Sequence, residues 1–397
     1  MKKYILFVIL IITLCLTSVS AENIDITNNT IQLNNDIQVN QSTIIDKEVL
    51  IRSNGSSIID NNCNVFNITE NFKLTWINLT ISNGKTAIYN KGTLYLLNCS
   101  IINNKGVDGA GVYNCGNLTI MNSTFSNNVI SHFGGAVYNT ADNVLIENTK
   151  FLSNIAKIKK GEVEGGAIYN EGENLNVNNC LFEGNGCSNS DWYENSVIYG
   201  GAISNRGNKI SVTNSLFTKN YVYGSADTSQ YHLDLNVKYG GAISSLGTGT
   251  IKNNTFDYNE IYSYLPSYAI EKIDCSHRGI GAGLYVKSTM NIINNTFINN
   301  RAGQSPLDIY ANNCLIDGNY FLNNTIRHGS PAINIEGKNS TIINNKILRN
   351  NYKIIYGTAA ASINIYHGGN EVIMNNYFEN CSGIYYDNVY HNSKGEY

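Results

Sequence analysis

Glu162 with Glu164, and Glu171 with Glu173, set carboxylates two residues apart. Glycoside hydrolysis uses this residue type in pairs, as acid with base or nucleophile. His277 beside Arg278 and His328 beside Arg327 are the candidate proton carriers. Neither set is completed by its neighbours. Hydrolysis needs its carboxyl groups apart across a cleft, whereas these acids fall at i, i+2 in turns, where we expect them to be solvated. Each His lies in a turn or insertion with no acid beside it, the setting of a surface residue. Lyase chemistry would need a calcium site of several carboxylates and an Arg or Lys base. The stretch 301–306, RAGQSP, offers an Arg and a Pro but no second Arg. We therefore assign no catalytic residue, metal site or cofactor.

Tyrosine is the better candidate for chemistry, as a contact residue. Tyr89, Tyr113, Tyr138 and Tyr169 recur at one place in successive copies of a repeated phrase. Tyr193, Tyr199, Tyr221, Tyr223, Tyr231, Tyr239, Tyr262, Tyr264 and Tyr268 crowd the segments between copies. An exposed Tyr gives large area at low entropic cost plus a hydroxyl, and its ring stacks on sugar faces. Packing of segments onto the body of the protein is the structural alternative.

The elements that must position these rings follow from the repeat. One phrase reads GAGVYN at 109–114, GGAVYN at 134–139, GGAIYN at 165–170, GGAISN at 200–205, GGAISS at 240–245 and GAGLYV at 281–286. A second, Asn-x-x-Phe-x-x-Asn, centres on Phe125, Phe151, Phe182, Phe217, Phe256 and Phe297, with weaker copies at Ile101, Phe321, Ile347 and Phe378. From the aliphatic residue of the first phrase to the aromatic of the second is 13 to 15 residues each time, as in Val112 to Phe125. The return segment varies from 10 to 28. One arc is fixed and one corner accepts insertions, the mark of a solenoid with a binding face.

Period-two alternation, Gly pairs, Asn-rich turns and β-branched residues make the repeat β rather than helical. Ile or Val of the first phrase, residues such as Leu118 and Ile120, and the Phe should point inward from three strands. Asn122 and Asn128 should stand at bends, with Asn amides bonding to their equivalents one coil away. We expect one parallel β-helix of about 10–12 coils over 43–381, with insertions at 155–164, 186–199, 221–239 and 260–280. Residues 22–42 are expected to cap its start. Residues 382–397 are expected to be a tail or second cap.

Residues 1–21 read as an export signal: Lys2 and Lys3, an apolar run over 4–16, and a Val19-Ser20-Ala21 cleavage site. Loss of both lysines takes 27 basic residues to 25 against 30 acidic, a net of −5 that argues against nucleic acid. We expect membrane contact through the export signal alone, with a retained anchor as the competing reading, disfavoured because the apolar run is shorter than a span needs. None of the eight cysteines after Cys15 has zinc spacing. We read them as small filling residues, with Cys180–Cys187 and Cys99–Cys115 the bridges to test. Sequons such as Asn54, Asn67, Asn117 and Asn294 would suit a glycosylated exported surface.

The GGA[IV] phrase followed by FxxN resembles the repeat of chlamydial polymorphic outer-membrane proteins. The Asn- and Tyr-rich wording with an N-terminal signal is similar to the adhesin-like surface proteins of methanogenic archaea. The likeness covers about 43–380. It implies a right-handed parallel β-helix, exported, displayed at the cell surface and acting in adhesion. The chlamydial proteins end in a translocating barrel, for which the stretch after Phe378 is too short, and longer archaeal relatives carry wall-attachment modules. Release into the medium is thus a second expectation beside display. The same fold carries pectin-cleaving enzymes, but Asp-Asp and Gly-His-Gly sequences of the polygalacturonase kind are absent here. We read the chain as an adhesin-like binder of carbohydrate or another cell's surface, gripping on the insertion face. A structural envelope spacer is the alternative, and a polysaccharide lyase or hydrolase stands third.

Overall fold

The computed structural model describes residues 24, 26–60, 63–190, 196–225, 237–264, 279–326, 329–352, 362–381 and 384–386. One coil shows the plan. Thr93–Leu97, Ser100–Ile102 and Val112–Asn114 form three sides, and the short strand Lys105–Gly106 lies between the second and third. Each pairs in parallel with its counterpart in the next coil: Leu94 with Leu118, Ile101 with Phe125, Val112 with Val137. Among the described residues, repetition builds three sheets of thirteen strands each, a fourth of nine and a fifth of four. The protein is an all-β, right-handed parallel β-helix.

Two expectations about coil number and shape need correction. The described residues form thirteen coils rather than 10–12, because the segment 22–42 supplies strands instead of only a cap. Thr30–Leu33 pairs with Val49–Ser53, and Ile37–Val39 with Ser57–Asp60. Within 382–397, Ile384–Tyr386 pairs with Ile363–Tyr366. Each coil from Lys105 to Tyr352 also has a fourth short strand, since the chain leaves its second bend extended and finds an equivalent neighbour to pair with. The proposed signal, 1–21, lies outside the described residues.

The core is columnar. Phe125, Phe151, Phe182, Phe217, Phe256, Phe297 and Phe321 stack with centroids 4.6–5.2 Å apart, all fully buried. Rung spacing of ~4.8 Å suits ring stacking, which adds ~0.5–1.5 kcal/mol per pair beyond area burial. Asn does two separate jobs. Asn122 and Asn127 take φ of 51° and 55°, which Asn tolerates better than other side chains. Asn128, at the same bend as expected, has its side chain buried in the expected amide ladder with Asn104 and Asn154, bonded at 2.9 Å on each side. In the first phrase the leading Gly134 turns with φ 66°, while a Cβ on Gly135 would lie 2.0 Å from the Gly166 carbonyl oxygen.

The insertions are not simple loops. They open with Ile155–Ile158, Gly186–Asn189, Tyr221–Ser225 and Glu260–Tyr264, which join the fourth sheet. They close with Val163–Glu164, Val197–Tyr199, Val237–Tyr239 and Gly279–Ile280, the fifth sheet. Between these sheets Ala156, Val163, Cys187, Ile198, Val222 and Ile261 make a second, smaller core. The roots of the arms are thereby held rigidly against the rod.

Candidate ligand-binding groove

At the bend between the second and fourth sheets, the chain needs one residue with positive φ in every coil. Asn103, Asn127, Asn299 and Asn323 fill the place in several, and Gly184 in another. Ser153, Lys219, Tyr258 and Arg349 hold it in the others, and Lys219 and Tyr258 fall in adjacent coils. Lys219 has φ 55°, and Tyr258 has φ 52° with 52% of its surface exposed. A bulky side chain in this conformation costs ~1–2 kcal/mol, so its presence marks a site held under strain.

Tyr258 does not stand alone. With Lys219, Tyr221, Glu260 and Tyr262 it lines a groove of about 370 Å³. Tyr221 and Tyr223 pair in register with Glu260 and Tyr262. The rings of Tyr221 and Tyr262 lie 6.0 Å apart, and those of Tyr223 and Tyr262 5.2 Å apart. Tyr221 reclines over the neighbouring coil, where a Cβ on Gly186 would meet its ring at 2.2 Å. The glycine is the space the ring occupies. Burial pushes the Tyr221 phenol above its ordinary value, so it stays a neutral donor and acceptor. Lys219 Nζ meets Glu183 Oε1 at 3.2 Å, and Arg301 Nη1 lies 3.6 Å from Glu260 Oε1. This chemistry is contact with ring faces plus a few hydroxyl and charged hydrogen-bonding groups.

The expected Tyr ladder exists on the third face. Tyr89, Tyr113, Tyr138 and Tyr169 stack at 4.8, 4.6 and 5.2 Å. Their faces therefore cover one another, leaving mainly edges and hydroxyls for a partner. Tyr169, expected to face outward, is buried at 3% exposure, stacks on Phe133 and donates to Glu171 Oε1 at 2.7 Å. Beyond it the column holds Ser204 and Ser244. Tyr199 and Tyr239, from the ends of the arms, stack at 4.9 Å, and Tyr239 reaches Tyr285 at 4.4 Å. The two serines give these rings their room. Burial first, then Tyr239, raises the Tyr199 phenol to about 12.

The expectation of a solvated Glu164 is overturned, because its side chain is fully buried. Ser204 Oγ donates to it at 2.7 Å and Arg206 Nε at 3.1 and 3.2 Å. It is Val163–Glu164 pairing into the fifth sheet that takes the side chain inward. Glu162, Glu171 and Glu173 are exposed, as expected. Asn54, Asn117 and Asn294 are exposed and Asn67 is half-buried. Cys99, Cys115, Cys180 and Cys187 are free thiols, so neither candidate bridge is formed. Tyr193, Tyr231, Tyr268, His277, Arg278, Arg327 and His328 lie outside the described residues, and Tyr264 ends the strand Glu260–Tyr264. Sequence reading missed Tyr258, Lys219 and Glu260. The available signal was a Tyr and a Lys at a bend position that Asn fills in four other coils.

No family model matches the chain, and no curated protein does. Among solved structures it is similar to the catalytic unit of a thermostable GH87 alpha-1,3-glucanase from Streptomyces thermodiastaticus, with 12% identity and a TM-score of 0.41. That alignment covers 90% of this chain and 64% of the glucanase chain. It is also similar to the Dettilon tailspike protein, with 15% identity and a TM-score of 0.33 over 90% of this chain and 62% of that one. The chain thus spans less than two thirds of the length of either.

Proposed function

We propose that this protein is an exported, adhesin-like surface protein that binds carbohydrate in the groove of Tyr221, Tyr258 and Tyr262. Tyr258 carries the reading: an exposed ring kept at a strained bend, beside two further tyrosines, where four other coils place Asn and, among the described residues, none places another aromatic. Strain retained at a surface position is better explained by contact with a partner than by folding. Binding rather than cleavage is supported by the carboxylates around the groove. Glu260 faces Arg301 and Glu183 faces Lys219, so each carboxylate is engaged by a cation rather than set opposite another carboxylate across the groove, as hydrolysis needs.

The test is binding of the purified chain to a broad glycan panel and to whole microbial cells, beside Tyr258→Asn and Tyr262→Ala. Saturable binding that both substitutions weaken by about tenfold or more, with the fold intact, is the expected result. Equal binding by all three proteins would remove the groove from the proposal. Shortening of any glycan on the panel would replace the binder reading with an enzymatic one.

A further inference from the structure

The charges around the groove close on themselves. Glu260 and Arg301 have side chains 23% and 34% exposed, so this pair is partly desolvated and shapes the local field. Lys219 and Glu183, 66% and 42% exposed, form a weaker, screened pair. Among the described residues, these two cations and two carboxylates balance. An anionic sugar over Tyr258 and Tyr262 would meet the Glu260 carboxylate, and Arg301 is already engaged by it. The groove's own contact surface is aromatic faces and hydroxyls, which match the C–H face and hydroxyls of an uncharged pyranose.

The size limits the ligand further. About 370 Å³ lies at the low end of the ~300–1,000 Å³ of small-molecule clefts. On one side the bend residue of the preceding coil is Gly184, and the wall there is the Tyr221 ring over Gly186, so the groove is approachable across the coils. Resting on the carbohydrate reading above, we infer that the groove takes the uncharged terminal sugar of a glycan, and that Glu260 rejects acidic termini.

Calorimetric titration would compare neutral oligosaccharides ending in hexose with counterparts ending in a uronic or sialic acid, at low and high salt. Wild type, Tyr258→Asn and Glu260→Gln would be measured. We expect neutral ligands to bind with less than about twofold change between salts. Acidic counterparts should bind about tenfold or more weakly, and Glu260→Gln should erase or reverse that difference, because it removes the carboxylate and releases the Arg301 cation. Tighter, salt-sensitive binding of acidic ligands would overturn the inference while leaving the carbohydrate reading intact, as would discrimination unchanged in Glu260→Gln. No binding of either class by folded wild type would defeat both.

Discussion

Arg206 closes over the buried carboxylate of Glu164, 42 residues earlier in the chain, with Nε within 3.2 Å of both oxygens and Nη2 also donating. The side chain of Glu164 has no exposed surface, while that of Arg206 is 36% exposed. The pair locks the end of an insertion arm to the third face of the helix, and Arg206 also lies 5.7 Å over the Tyr199 ring. Removing one partner strands a buried charge, which costs more than the pair contributes. Arg206→Met is therefore expected to destabilise by about 3 kcal/mol. Adding Glu164→Gln to it should recover part of that loss. Urea unfolding of the two singles and the double closes the cycle; additive losses would contradict the coupling.

Strain at Tyr258 should be measurable as a trade between stability and binding. Tyr258→Asn puts at the bend the residue that Asn299 and Asn323 supply elsewhere. The expected gain is about 1 kcal/mol, read as a raised thermal midpoint, together with lost glycan binding. Lower stability in the Tyr258→Asn variant would mean that the ring packs the groove rather than serving a ligand.

The columns make a polar and an apolar residue equally costly to lose. Asn220 Nδ2 donates to Phe182 O at 2.9 Å and to Asn259 Oδ1 at 3.0 Å, and its Oδ1 accepts from Asn185 N and Nδ2, both at 3.0 Å. Asn220→Leu orphans groups in both adjacent coils, at ~1–3 kcal/mol each. Phe217→Ala opens a cavity in the ring stack, at ~3–5 kcal/mol. We expect comparable losses in chemical denaturation, with accelerated amide exchange in the coils on either side. A mild effect of Asn220→Leu would show that water replaces the ladder.

Asp308 provides the pH dependence. It is fully buried, with Ser305 Oγ at 2.6 Å, Asn334 Nδ2 at 2.7 Å and Gly281 N at 3.1 Å. Burial pushes its carboxyl from the ordinary 3.8 up to about 7, against the pull of those hydrogen bonds. The folded form thus holds a proton that the unfolded chain releases. This contribution to stability is fully present below the unfolded value and is lost as pH rises through about 7. Stability should fall between about pH 4 and pH 7 by on the order of a few kcal/mol, read as a falling thermal midpoint, and Asp308→Asn should flatten the curve. A rising wild-type curve over that window would reverse the assignment.

Thiol reactivity should divide by column. Burial raises Cys99 to about 11 and Cys180 to about 12, and lifts Cys187 as well, whereas Cys115 is exposed. In native protein at pH 8 a disulfide reagent should modify Cys115 quickly and reach these three on the timescale of unfolding. Fast native labelling of Cys187 would mean that the small core between the arm sheets opens.

The sequence by itself determined the columns. Phe151 lies 14 residues after Val137 because a rigid arc has a fixed length, and a recurring aromatic at that distance can only stack on its copies. Asn at the bends and paired glycines before Ala-Ile-Tyr carry their conformations in their own chemistry, so turns and inward faces were legible one repeat at a time. The fourth strand and the first coil were not, because their short strands have little pattern of their own and exist only by pairing with a neighbour. The groove was decided by tertiary structure alone. Tyr221 meets Gly186 and Glu260 across insertions of unequal length, so no constant spacing announces the contact. Glu164 reads as a turn acid until the arm folds back and Arg206 arrives to neutralise it. Stacking along the rod repeats what the sequence repeats; alignment across the arms depends on where each insertion returns.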